Sequence, residues 1–224
     1  MNRIHQRETF SIVIFGFTAV TAQVVIMREL VMLFYGNELT LGVMLGIWLL
    51  WTAAGSGLLP RILPVKNPGS AFVIVQTLIA FLLPSLPLLT RWSRTLLGLS
   101  PGEMAGFTAM LIVTVISLAP ICLASGMLYT LACRMRQERQ TPGAAVAGVY
   151  TLEAAGSGLG GLIISLVMLR FLNTALILIL FSALNILSVL VLTGRRKLLD
   201  AVFLTVIVIA IPFSVKLQNL YDKI

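Results

Sequence analysis

Seven apolar runs of 18 to 30 residues leave this 224-residue chain few ways to fold. They cover 10–35, 39–59, 71–89, 104–133, 144–172, 174–193 and 198–215, with the basic residues gathered in the short gaps between them. A bilayer core of about 30 Å is crossed by roughly 20 helical residues. In hydrocarbon only helices and closed barrels satisfy every backbone group. Runs this long and continuous predict an all-α, polytopic transmembrane helix bundle of about seven spans, forming a single domain over 1–224.

Composition agrees. Charged residues are 11% of the chain, hydrophobic ones 58%, and mean hydropathy is +1.02; an average soluble chain is about 25% charged. The net charge of +8 is therefore no nucleic-acid signature, because the cations flank apolar runs instead of forming a patch. The lipid bilayer is the expected surrounding, and no soluble catalytic domain fits beside the runs. Cys122 and Cys133 lie eleven positions apart in one run, too far along a helix for a disulfide. The only histidine is His5. No metal ligand set, cofactor motif or catalytic constellation is expected.

The first run follows Arg3 and Arg7 but carries Arg28 and Glu29 near its end, which marks a retained signal-anchor and not a cleaved leader. Pro120 should kink the fourth span. Thr141-Pro142 reads as the N-cap and first turn of the fifth. With the N-terminus cytoplasmic, ten Lys and Arg fall in cytoplasmic segments and five outside, which favours that orientation and an external C-terminus.

The hexapeptide Ala-Ala-Gly-Ser-Gly-Leu occurs at 53–58 and again at 154–159. If this echo reflects duplication, spans one to three correspond to spans four to six. Three is odd, so the two units enter the membrane in opposite directions, as in a 3+3 inverted repeat resembling half of a major facilitator fold. Chance in a chain rich in Gly, Ala and Leu is the competing account. Gly156, Gly158 and Gly161 also satisfy G-x-G-x-x-G, but they fall inside an apolar helix where no strand precedes them. Gly156 and Gly160, with Gly158 between them, and Gly42 with Gly46 on span two, are read as close helix-packing positions.

Ionisable groups in hydrocarbon are costly unless paired, which makes each a candidate binding residue. Glu153 lies about nine residues into span five, beside Tyr150 and the glycines; its competing account is a carboxyl hydrogen-bonded for packing. Arg28 and Glu29 stand near the outer end of span one, with snorkelling the alternative for Arg28. Gln23 lies deeper and is expected beside Glu153. Glu38 joins Gly36 and Asn37 in the outer turn, where turn chemistry alone accounts for the glycine and asparagine. The three tryptophans and nine methionines are read as packing and interface residues.

The stretch GFTAVTAQVVIMRELVMLFYGNELTLGVMLGIWLLWTAAGS, Gly16 to Ser56, resembles the N-terminal membrane region of bacterial membrane-integral spermidine-synthase-like proteins. GVYTLEAAGSGLGGLI, Gly148 to Ile163, resembles a second landmark of that family, a Tyr followed by Asn or Glu and a glycine-rich helix. The resemblance implies the bacterial inner membrane and a partnership with a soluble aminopropyltransferase, which moves an aminopropyl group from decarboxylated S-adenosylmethionine to putrescine. That domain's glycine-rich loop and catalytic aspartates find no match here, so the chain is expected to be the membrane module, with no chemistry of its own. The alternative is a small secondary transporter or conduit for polyamines or other cations, passing them by Glu153. Cytosolic synthesis sits uneasily with an external C-terminus, and the tension falls on the seventh span.

Overall fold

The structure, a computed structural model, describes residues 3–36, 38–96 and 106–194 together with Lys216 and Asn219, the side chains of 3, 4, 91 and 93–96 excepted. The seventh span expected at 198–215, Asn37 and the basic cluster at 195–197 lie outside the described residues. Within them the chain is an all-α bundle with six helices long and apolar enough to cross a membrane: His5–Leu33, Leu39–Ile62, Pro68–Thr90, Phe107–Gln137, Pro142–Phe171 and Thr174–Thr193. They are numbered here as spans one to six. Their ends are set by recognisable chemistry. Thr141 is the N-cap of span five and Pro142 its first residue, although the threonine side chain makes no capping bond. Asn67 and Asn173 cap spans three and six, their side chains accepting from the backbone N–H of Ser70 and Leu176. Span four runs as one helix from Phe107 to Gln137 with Pro120 inside it. Span five carries a π-helical stretch at Ile164–Met168. Both cysteines are buried and free.

The echo in the sequence has a counterpart in the packing. A Cβ added to Gly156 on span five would land on the backbone carbonyl of Val13 in span one, and one added to Gly16 would land on the carbonyl of Glu153. On the other side of the bundle, a Cβ at Gly55 on span two would land on the carbonyl of Leu123 in span four, and one at Gly126 on that of Thr52. Gly55 and Gly156 hold the same place in the two hexapeptides, and Thr52 and Glu153 immediately precede them. Gly16 and Gly126 are separated by the same interval as Val13 and Leu123. Span two therefore meets span four at the register in which span five meets span one.

Spans three and six complete the pattern. Span three packs on span four, span six on span one, and the two pack on each other. The last pair is antiparallel: Gln76 reaches Ser188 while Ala80 meets Ser182. These contacts are those of an inverted repeat whose halves have exchanged partners. Two three-helix units result, span one carrying spans five and six and span four carrying spans two and three, and neither is a contiguous stretch of chain.

The glycines expected at helix contacts divide. Gly156 and Gly160 are buried against span one, the latter with the Phe17 carbonyl 2.9 Å from where its Cβ would sit. Gly42, Gly46 and Gly158 need correction: a Cβ at any of them meets nothing within 4 Å, so they mark no contact within this chain. Small-residue spacing shows that a helix face can approach another closely; it does not show which face is used.

This division makes an opposed pair of expectations. Gly156→Ala and Gly55→Ala should each lower stability by about 1–3 kcal/mol, because a methyl group there pushes two backbones apart. Gly42→Ala should raise it by about 0.5–1 kcal/mol, the ordinary gain in helix propensity. Thermal or denaturant unfolding of the purified protein in detergent measures both.

Candidate functional site

Glu153 sits where the span-one and span-five backbones touch. Its side chain is half-buried, and the Ser157 hydroxyl one turn later lies 3.4 Å from its Oε1 and 3.1 Å from the Gly16 carbonyl, with one proton to donate between them. The helix register thus puts Glu153 level with Gly16. Gln23, expected as its neighbour, is seven residues farther along span one, about 10 Å at helical rise. That expectation is corrected: the polar neighbour of Glu153 is Ser157, on its own helix. Tyr150 is 63% exposed. Arg28 is exposed, Glu29 is buried at 5% exposure, and Glu38 is exposed at the start of span two. Glu153 and Tyr150 share one turn of span five, beside Tyr129 of span four, while Gln23, Arg28, Glu29 and Glu38 lie farther along the chain's first two spans, so the expected residues are not gathered into one site.

The structure assembles a different polar group, in the middle of the bundle. The Gln76 amide on span three donates to Ser188 Oγ at 3.1 Å and lies 3.5 Å from Asn185 Oδ1, both on span six. Asn185 Nδ2 donates to Thr18 Oγ1 on span one at 2.8 Å and to the Phe181 carbonyl at 2.8 Å. Ser11 Oγ reaches the Ser188 carbonyl at 3.4 Å. Gln76, Asn185, Ser188 and Ser11 are all fully buried, and Gln76 Oε1 has no hydrogen-bond partner. This network ties the two three-helix units together across the pairing of spans three and six. A signal for it was present in the sequence: Gln76 and Asn185 are the only amide side chains within their spans. A neutral amide in hydrocarbon demands partners as a charged group does.

Chemically, the arrangement can hydrogen-bond and orient neutral or cationic groups. Among the described residues no three His, Cys, Asp or Glu side chains converge as metal ligands would. Phe17 and Phe181 stack beside the network with ring centroids 5.0 Å apart, closing it on one side. No protein-family model, curated protein or solved structure matches the chain.

Cutting the network at one end should cost more than removing it in pairs. Asn185→Leu should destabilise by about 1–2 kcal/mol, since it removes the bond to Thr18 and leaves the buried Gln76 amide with Ser188 alone. Adding Gln76→Leu to that variant should recover part of the loss, because it also removes the buried Gln76 Oε1 that has no partner. A double-mutant cycle on unfolding in detergent reads the difference.

Proposed function

We propose that the chain is the membrane module of a spermidine-synthase-like protein. In this reading it is a rigid multi-pass anchor in the bacterial inner membrane, with its N-terminus cytoplasmic, that holds or supplies an aminopropyltransferase carried by a soluble domain or subunit. One observation supports it best. The two stretches that resemble the family, 16–56 and 148–163, contain Gly16, Thr52, Gly55, Glu153, Gly156 and Gly160, where helix backbones meet. Residues so placed make a stiff platform, and stiffness is what an anchor for another domain requires. The direct test is to co-express the chain with a candidate soluble aminopropyltransferase. Co-purification and recruitment of the enzyme to membranes are expected; an enzyme that stays soluble and elutes alone would overturn the proposal.

A second reading, a small secondary transporter or conduit for polyamines or other cationic solutes, is favoured by the exchanged-partner symmetry. The two three-helix units meet along a polar seam, and inverted repeats commonly rock about such a seam. Glu153→Gln separates the readings because it removes a charge while nearly keeping shape. As an anchor, the variant should match wild type in membrane abundance and in enzyme recruitment. As a conduit, it should lose uptake of labelled polyamine into reconstituted vesicles at least several-fold.

A further inference from the structure

At the end of the bundle where span one begins and span four finishes, a cavity of about 630 Å³ opens between spans one, four and five. His5, Gln6, Thr9 and Phe10 line it from span one, Arg136 from span four, and Gly148, Thr151 and Leu152 from span five. Arg136 is the unusual member. Only 7% of it is exposed. Its Nη2 donates to Thr9 Oγ1 at 2.9 Å, and its Nε is buried without a hydrogen-bond partner. The nearby carboxylate, Glu8, is itself buried and pairs at 3.0 Å with Arg139. No carboxylate among the described residues lies within 4.0 Å of Arg136. Two guanidinium groups thus share one acid.

A buried cation whose nearest acid is already paired elsewhere is poorly neutralised, and its cavity is open on one side. Span five presents a glycine there: a Cβ at Gly148 would stand 3.1 Å from Arg136 Nη1, so the missing side chain leaves that edge of the guanidinium uncovered. A planar guanidinium edge matches phosphate oxygens in a bidentate way. Phe10 and Leu152 give the walls an apolar part, beside His5, Gln6 and Thr151.

We propose that this cavity is a binding site for a phosphate group attached to an apolar body. Arg136 is the anchoring cation, Thr9 holds it in place, and Gly148 provides the access. An anionic phospholipid headgroup and a free phosphate share this chemistry, and the site does not depend on the anchor or conduit reading.

The test uses the full chain in uncharged detergent, following its melting temperature as short-chain phosphatidylglycerol, short-chain phosphatidylcholine or inorganic phosphate is added. Phosphatidylglycerol should raise the melting temperature saturably and phosphatidylcholine should not. A rise with inorganic phosphate as well would identify free phosphate as sufficient; a rise with phosphatidylglycerol alone would identify the lipid. Arg136→Gln should weaken half-saturation by about tenfold or more, the loss of a charge-assisted contact, and Arg136→Lys should be intermediate. Thr151→Trp fills the cavity from an exposed position and leaves Arg136 intact, so it should also abolish the rise and carries the test if Arg136→Gln fails to fold. No saturable rise with either phosphate source would overturn the proposal, as would a wild-type response in both Arg136→Gln and Thr151→Trp.

Discussion

Everything in this bundle depends on backbone lying directly on backbone at four glycines. Lipid tails are as apolar as leucine, so burying apolar side chains between two helices gains little in a bilayer. Close van der Waals approach and a few interhelical hydrogen bonds must supply the cohesion. Gly16, Gly55, Gly126 and Gly156 allow it, each seated on a carbonyl of the facing helix. Around these contacts the hydroxyls finish the joint: Ser157 reaches the Gly16 carbonyl at 3.1 Å, and Thr130 reaches the Ser56 carbonyl at 2.9 Å. The two joints are built alike because the segments that make them are alike.

The polar network has the complementary task. Glycine contacts join span one to five and span two to four, but they do not close one three-helix unit on the other. Gln76 crosses that boundary to Ser188, and Arg136 and Arg139 cross it to Thr9 and Glu8, while Asn185 and Thr18 fasten span six to span one within a unit. Membrane hydrogen bonds of this kind average only about 0.6 kcal/mol each.

Much of this was legible in the sequence, for physical reasons that differ from element to element. Span six was expected at 174–193 and is found at Thr174–Thr193, because Asn173 and Gly194 stop it cleanly at both ends. Span four was expected to end at Cys133 but continues to Gln137. An arginine ends an apolar run, whereas a buried Arg136 held by Thr9 stays within the helix. On span five Gly156 and Gly160 pack as expected, but on span two the contact is made by Gly55 of the hexapeptide and not by Gly42 and Gly46. The facing glycines Gly16 and Gly126 are isolated glycines with no shared motif, and only the register of facing helices singles them out. Glu153 stands out by its charge, while its expected neighbour Gln23 was misplaced because depth counted from span ends ignores how two helices slide along each other.

The exchange of partners also bears on the order of assembly. Span one emerges first, yet the helix that fits its glycine face does not exist until about 140 further residues have been made. At roughly 10 residues per second that interval is on the order of ten seconds. Throughout it Ser11, Thr18 and the face around Gly16 must wait in lipid or against a provisional partner, since spans two and three belong to the other unit. Span four, by contrast, finds spans two and three already in place. The second unit to begin is thus the first that can be completed, and the opening helix of the chain is among the last to be enclosed.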